Sequence, residues 1–216
     1  MDGDRGNKAG GEGTGLTVAI VGEGSRDYGR GEEAKGALMI LVERILNHPP
    51  GVCFEGRPLP RLHGRGGLRK KARLAIVAAC MRGDAGLAIV VDNDRQPPGR
   101  RLQDIRKGVD ESEAHVPYAL GVAIESFEAW MLADERALFA VLHPGKTAER
   151  QPDPEEIGKP KQAINEIAGR RVTGSDLAQI AERADLDLIA KRCRRGFARF
   201  RKEVKDNLGT LCEESN

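Results

Sequence analysis

The chain has 216 residues, of which 39% are apolar and 31% charged, and its 35 basic and 33 acidic side chains leave a net charge of +2. This length allows one substantial α/β core, or one core with a small helical subdomain. The near balance of charge means that nucleic-acid binding can only be argued from local basic clusters. The low aromatic content of 4% disfavours recognition of single strands by base stacking.

Three features of the sequence favour a cytoplasmic location. The four cysteines lie far apart without a Cys-x-x-Cys pair, which disfavours a zinc knuckle or a dense disulfide framework. Residues 1–15 are glycine-rich and charged, unlike a signal peptide, and we expect a flexible leader there. Because no stretch approaches the roughly 18 apolar residues of a membrane span, we expect no membrane contact.

Strands and helices are predicted to alternate along the first two thirds of the chain. Short apolar, β-branched runs stopped by glycine or polar residues predict strands over 16–22, 52–59, 86–91 and 118–124. Apolar residues at helical spacing predict helices over 31–47, 68–81, 101–110 and 125–134. Such alternation implies βαβ crossovers, and so an α/β fold with a mainly parallel sheet flanked by helices.

A polar, proline-containing segment over 143–154 is predicted to be a linker or surface loop. Helices are predicted beyond it over 160–168, 175–184 and 186–206, with Ser175 and Asp185 as N-caps of the last two. We therefore expect an α/β domain over 16–142 and a helical C-terminal portion, 143–216, that packs on the same domain.

Acidic side chains follow three predicted strands: Glu23 and Asp27, then Asp92 and Asp94, then Glu125 and Glu128. In a parallel sheet these clusters would converge on one edge, where polar residues line the ligand crevice. Carboxylates packed together repel one another unless a cation neutralises them. Hard oxygen ligands in this number suit Mg²⁺ or Mn²⁺. The cluster would hold either one such ion or a pair of ions that stabilises phosphoryl displacement.

Plainer interpretations exist for each acidic cluster. Acidic residues in βα loops often cap the next helix, and an Asp-x-Asp sequence is common in turns. Glu125 and Glu128 are three apart, which also fits the charged flank of an amphipathic helix that contains Phe127 and Trp130. The position of Asp92 favours a metal site over these plainer interpretations, because this residue directly follows a continuous apolar strand.

Two segments together resemble the Toprim fold of topoisomerases, primases and several nucleases. They are Val18-Ala-Ile-Val-Gly-Glu23-Gly and Leu87-Ala-Ile-Val-Val-Asp92-Asn-Asp94. The spacing from Glu23 to Asp27 is similar to the Glu-x-x-x-Asp of the overcoming-lysogenisation-defect nucleases. One departure is that Toprim first motifs usually read Val-Glu-Gly, whereas Gly22 precedes Glu23 here.

A closer resemblance is to a family of stand-alone bacterial Toprim-like proteins, many linked to ATPases in phage-defence operons. It rests on residues 124–134 (IESFEAWMLAD), 159–161 (KPK), 185–190 (DLDLIA) and 196–200 (GFARF). With the two Toprim segments, the resemblance covers residues 16 to about 206. It implies that 16–142 is the catalytic domain and that the protein is a defence effector with an ATPase partner.

The resemblance also implies roles for individual residues. Glu23, Asp92 and Asp94 would hold metal, and Asp27 with either Glu125 or Glu128 would complete a second site. Lys159 or Lys161 would offset charge on the phosphate, since phosphoryl transfer depends on positioning and electrostatics. The plainer interpretation of both lysines is a solvated helix start.

Basic clusters are candidates for nucleic-acid contacts that position a backbone without reading sequence. The candidates are Arg65, Arg69, Lys70 and Lys71 in a glycine-flanked segment, and Arg100 and Arg101 after the Asp-x-Asp loop. A second basic stretch occupies 191–202, for which a solvated helix face is the competing interpretation.

We therefore expect a Mg²⁺- or Mn²⁺-dependent endonuclease, with DNA, structured RNA and tRNA open as substrates. The alternative is a non-catalytic Toprim-like subunit that binds an ATPase partner or nucleic acid. Nucleotidyl transfer would require further nucleotide-binding modules, of which the sequence shows none. The sequence does not give the oligomeric state.

Overall fold

The fold is a four-stranded, all-parallel sheet, given by a computed structural model that describes residues 15–24, 35–62, 67–97 and 99–212. The strand order is β2-β1-β3-β4. Their bounds are β1 Leu16–Gly22, β2 Val52–Pro58, β3 Gly86–Asp92 and β4 Tyr118–Ala123. All four predicted strands are confirmed, whereas the predicted leader lies outside the described residues except for Gly15.

Helices follow the strands and continue to the C-terminal end of the described chain. They are α1 Ala37–Ile45, α2 Leu68–Arg82, α3 Arg100–Asp110, α4 Glu128–Met131, α5 Glu135–Leu142, α6 Pro160–Ala168, α7 Gly174–Arg183, α8 Leu186–Arg192 and α9 Phe197–Leu208. Single 3₁₀ turns cover Pro154–Glu156 and Gly209–Cys212. The predicted α/β class, with a helical C-terminal portion, is confirmed.

The sheet is covered by helices on both faces, which explains its apolar strands. Every residue of β3 is buried, as expected for a central parallel strand. Ala88 and Val90 point into one apolar cluster, while Leu87, Ile89 and Val91 point into the other. This alternation follows the two-residue period of a strand.

The two faces are covered by different parts of the chain. Helices α2 and α3 pack on one face. Helix α1 and the helices from α4 onward contribute to the apolar cluster on the other face, so the sheet and the C-terminal helices share one core. Helix α9 packs against β4, where the lack of a side chain at Gly121 makes room for the Phe200 ring.

The prediction of one helix over 125–134 is wrong. Glu125 has a φ of 61° and lies outside any helix, and the chain forms the short α4 and then α5. Asp134 separates them: its Oδ1 accepts hydrogen bonds from the backbone N–H groups of Arg136 (3.0 Å) and Ala137 (3.1 Å), and so caps α5. The helix over 135–142 was not predicted.

The predicted helix over 186–206 is interrupted between α8 and α9. The backbone N–H groups of Arg195 and Gly196 donate to the Glu155 carboxylate, at 3.0 and 2.7 Å. Glu155 is buried, so it supplies the acceptors that an unbroken helix would have provided.

The N-cap of α7 is Thr173, not the predicted Ser175. Thr173 and Asp176 form a capping box, in which each side chain accepts a hydrogen bond from the backbone N–H of the other residue. The prediction for α8 is confirmed, because Asp185 accepts from the N–H groups of Asp187 (2.8 Å) and Leu188 (3.1 Å). No helix in the described part of the chain is long and apolar enough to cross a lipid bilayer.

Candidate functional site

The candidate site lies where the strand order reverses direction. The connection after β1 leads to β2 and the connection after β3 leads to β4, toward opposite edges of the sheet, so a crevice opens at the carboxyl ends of β1 and β3. Gly22 completes β1 and Glu23 follows it, while Asp92 completes β3. The backbone N–H of Asp92 donates to Glu23 Oε2 at 3.0 Å, so the two strand ends are joined directly.

Asp92 is the most constrained carboxylate of the site. Its Oδ1 accepts a 2.8 Å hydrogen bond from the backbone N–H of Phe127, and its Oδ2 accepts a 2.9 Å bond from Lys161 Nζ. Asp92 is only 8% exposed. The side chain therefore connects the end of β3 to the segment after β4 and to the first turn of α6.

Arg101 lies against two of the other predicted metal ligands. Its guanidinium donates to Asp94 Oδ2 and lies 3.6 Å from Glu23 Oε1. The Arg101 side chain is 16% exposed, so it faces the carboxylates more than solvent. The sequence predicted a nucleic-acid contact for this residue; the structure places it in the carboxylate cluster, because the loop after Asp94 brings the first turn of α3 back over the strand ends.

Three residues of the site have left-handed backbone conformations. Asp94, Arg95 and Glu125 have φ values of 47°, 58° and 61°. This region is unfavourable for residues with a Cβ atom and tends to occur at functional sites. Glu125 also accepts a 3.4 Å bond from the Asp94 N–H through its backbone oxygen, and its carboxylate lies 3.8 Å from Arg95 Nε.

Glu128 opens α4 beneath the cluster and is 3% exposed. Among the described residues, its Oε2 has no hydrogen-bond partner. Burial raises the pKa of Glu128, while the positive charge of Lys161 opposes the rise. Burial also raises the pKa of Glu23, against the hydrogen bond from Asp92 and the charge of Arg101. Both carboxyls hold a proton more tightly than usual.

A shallow cavity of about 400 Å³ connects the remaining predicted residues of this edge. Its lining includes Asp94, Glu125, Lys161 and the exposed Lys159, which immediately precedes α6. Six predicted ligands and lysines, Glu23, Asp92, Asp94, Glu125, Lys159 and Lys161, are therefore linked through direct contacts or this cavity, and the charges of Lys161 and Asp92 act on Glu128. Asp27 lies outside the described residues.

Three of the other predicted basic residues lie away from the carboxylate cluster. Arg69, Lys70 and Lys71 occupy the first turn of α2, and Arg69 pairs with Glu111, just past the end of α3. Since Arg101 lies at the opposite end of α3, the pair is roughly 15 Å from the carboxylate cluster at 1.5 Å of rise per residue. Arg100 is exposed at the start of α3, and Arg65 lies outside the described residues.

The donor chemistry of the cluster fits a hard divalent cation. No group of three or more His, Cys, Asp and Glu side chains within the described ranges is arranged to hold one metal ion. Lys161 and Arg101 instead neutralise Asp92 and Asp94. Carboxylate oxygens are the ligands that Mg²⁺ and Mn²⁺ prefer, and the buried Glu128 Oε2 is an acceptor with unused capacity. A cation could replace the two basic side chains.

Sequence reasoning missed several residues that build the site. Asn93 is 8% exposed and its Nδ2 donates to the Gln96 backbone oxygen at 2.9 Å, which shapes the Asp-x-Asp turn. No sequence pattern marks the hydrogen bond from the Phe127 N–H to Asp92, because this bond depends on the turn at Glu125. The Asn between two aspartates was the one available signal, since Asn favours side-chain-supported turns.

Comparisons of this chain with protein-family models, with curated proteins and with solved structures found no significant match.

Proposed function

We propose that this protein is a Mg²⁺- or Mn²⁺-dependent nuclease that hydrolyses nucleic-acid phosphodiesters at the carboxylate cluster around Asp92. The observation that carries the proposal is the convergence of Glu23, Asp92 and Glu128 with Lys161 at the β1–β3 switch point. Phosphoryl transfer needs carboxylate oxygens that hold a metal ion and a lysine that offsets the charge of the phosphate. The Toprim-like motifs support the same activity.

Glu23, Asp92 and Asp94 would hold the cation, with Glu128 as a further ligand. A bound divalent cation stabilises the charge that develops on phosphoryl oxygens during displacement. The chain fixes these carboxylates in advance: the Asp92 N–H holds Glu23, and the Phe127 N–H holds Asp92. Such fixed positions reduce the reorganisation required during the reaction.

Lys161 is suited to binding the substrate phosphate. Its side chain is 59% exposed although its Nζ reaches Asp92. Lys161 would give up its pairing with Asp92 if that carboxylate held a cation, and its ammonium group would then be released toward the cavity it lines with Lys159. Released there, the Lys161 Nζ would donate to a phosphate oxygen of a bound strand.

Cleavage of plasmid DNA and total tRNA, each with Mg²⁺ or Mn²⁺, tests the proposal. The informative variant is Asp92→Asn, which retains an acceptor for the Phe127 N–H but removes the charge. Asp206→Asn, on the exposed end of α9, is the matched control. We expect cleavage by the wild type and the control, and a loss of about 100-fold or more in Asp92→Asn. Equal cleavage by all three proteins would contradict an active site at Asp92.

A second candidate function is a non-catalytic subunit that binds an ATPase partner or nucleic acid. The observation that favours it is the neutralisation of the cluster by the chain's own cations, Lys161 on Asp92 and Arg101 on Asp94. Such ion pairs can be purely structural. This candidate predicts no cleavage by the wild type and no stabilisation by Mg²⁺.

The biological role proposed from the Toprim-like resemblance is that of an effector in anti-phage defence with an ATPase partner. Support for this role comes from the motifs at 124–134, 159–161, 185–190 and 196–200. Co-expression with an ATPase from a phage-defence operon of this kind would test it: a complex whose disruption changes nuclease activity is expected, and the absence of a complex would count against the partner.

A further inference from the structure

We propose that the sugar–phosphate backbone of the substrate strand binds along a groove that runs from the carboxylate cluster across α8, a surface we call the α8 groove. The proposal rests on the nuclease function proposed above and names the path of its substrate. It moves the nucleic-acid contacts from the predicted residues on α2 to cations around α8.

The α8 groove is continuous because its four cavities share lining residues. The cavity at Lys161, about 400 Å³, shares Arg95, Glu125 and Gly158 with a second of about 450 Å³. The second shares Glu155, Glu156 and Arg195 with a third of about 600 Å³. The third shares Arg150, Lys191 and Arg192 with a fourth of about 430 Å³.

Some of the exposed cations that line the α8 groove have no carboxylate partner. Five of them make no salt bridge with any residue in the described part of the chain: Arg136, Arg150, Lys191, Arg194 and Arg199. The carboxylates of the groove are mostly occupied, since Glu135 pairs with Arg192 and Glu155 pairs with Arg195. The available charge that faces solvent along the groove is therefore predominantly positive.

The floor of the α8 groove is held by two further arginines. Arg192 donates to the backbone oxygens of Ala133 (2.9 Å), Gln151 (2.8 Å) and Pro152 (2.8 Å). Arg195 donates to the Glu155 backbone oxygen at 2.8 Å. These bonds connect the end of α8 to Ala133, just before α5, and to the segment before α6, which Arg195 also joins to the turn between α8 and α9. The groove is thus formed before a ligand binds.

The lining chemistry favours a phosphate backbone as the ligand. None of the described residues that line the four cavities is aromatic, so base stacking cannot be the main contact. Exposed Arg and Lys side chains spaced along a groove suit successive phosphates and do not read sequence. The groove ends at Lys161 and Asp94, where the proposed chemistry requires a phosphodiester.

Helix α2 provides a matched control surface. Its buried residues, such as Ala72 and Ile76, belong to the apolar cluster on the opposite face of the sheet from Ile189 of α8. Lys70, Lys71 and Arg73 on α2 can therefore be replaced with the same loss of charge as three groove residues.

The test compares the triple variants Arg136→Gln/Arg150→Gln/Lys191→Gln and Lys70→Gln/Lys71→Gln/Arg73→Gln. Binding to a labelled DNA duplex, the corresponding single strand and total tRNA is measured by fluorescence anisotropy over a range of salt concentrations. EDTA is present, so binding is read without cleavage. Far-UV circular dichroism melting confirms folding of both variants.

We expect the groove variant to bind at least about tenfold more weakly. The salt slope, which is the slope of the logarithm of its binding constant against the logarithm of salt concentration, should be smaller in magnitude by about one for each phosphate that the protein no longer neutralises. The α2 variant should match the wild type. An equal loss of affinity in both variants, an unchanged salt slope in the groove variant, or no binding of any nucleic acid by the wild type would overturn the proposal; the last result would leave an acidic protein partner as the occupant. Binding without cleavage in Mg²⁺ would instead contradict the nuclease function and leave the groove intact.

Discussion

The backbone N–H of Asp92 donates to Glu23 Oε2 across 3.0 Å, joining two strand ends that lie 69 residues apart in sequence. The backbone of Asp92 thus fixes the orientation of the Glu23 side chain, and both residues are predicted metal ligands. Because β1 and β3 are neighbours at the switch point, the pair lies where α/β sheets bind their ligands. The behaviour of this pair and of its basic neighbours can be tested.

Lys161 should compete with a divalent cation for Asp92. In Lys161→Gln without metal, we expect the free energy of unfolding to fall by about 1 kcal/mol, since an ion pair with an exposed lysine is removed. Saturating Mg²⁺ should raise the melting temperature more in this variant than in the wild type, because a competitor for Asp92 is gone. Differential scanning fluorimetry with and without Mg²⁺ measures both effects.

Lys159→Gln is the matched control for this prediction, since it removes an exposed lysine from the same cavity without removing the bond to Asp92. It should respond to Mg²⁺ as the wild type does. A Mg²⁺ response of Lys161→Gln no larger than that of the control would show that Lys161 and a metal do not share Asp92.

The buried Glu128 should make stability depend on pH. Its pKa is raised in the folded protein from 4.5, so its contribution to stability is present below that value and is lost as pH rises through the folded pKa. Glu128→Gln, neutral at every pH, should therefore gain stability relative to the wild type as pH rises. The gain should be about 1.4 kcal/mol for each unit by which the pKa is raised.

Urea unfolding in EDTA across acidic to neutral pH measures this difference, because a bound divalent cation would favour the charged carboxylate. Glu182→Gln, exposed on α7, is the control for the substitution itself. A stability difference between Glu128→Gln and the wild type that does not grow with pH would contradict the assigned burial of this carboxyl.

Gly108 should be essential for the packing of α2 against α3. A Cβ atom at this position would lie 2.0 Å from the Arg69 backbone oxygen, so the two helices would have to separate. We expect Gly108→Ala to lower the free energy of unfolding by about 3 kcal/mol, measured by urea unfolding. Gly209→Ala, whose Cβ would meet nothing within 4 Å, should leave stability nearly unchanged. Similar stability in both variants would contradict the close helix approach.

The alternating elements were predictable because the strands are continuous apolar runs. Strand β3 is buried along its full length, so Gly86 to Val91 carried a clear signal, and the acidic residue after it was placed correctly at the strand end. The same logic placed Glu23 after β1. Local pattern is sufficient when an element and its boundary are set by residues that are adjacent in sequence.

Features that depend on distant partners were not predictable. The region around Glu125 was predicted as a helix, but its left-handed backbone and the cap at Asp134 divide the segment. The interruption before Gly196 depends on Glu155, some 40 residues earlier. Arg101 was predicted to bind nucleic acid as part of a basic cluster with Arg100, and its contact with Asp94 was missed because that contact requires the loop between them to fold back. At the interruption before Gly196, a tertiary hydrogen bond overrides local propensity.

The most direct test of a metal site at the Glu23–Asp92 pair is calorimetric titration of Mn²⁺ into the purified protein without nucleic acid. We predict saturable binding by the wild type and by Asp206→Asn, and binding weakened at least about tenfold in Glu23→Gln and in Asp92→Asn. Equal Mn²⁺ affinity in all of these proteins, or no binding by the wild type, would contradict a metal-dependent nuclease centred on Asp92.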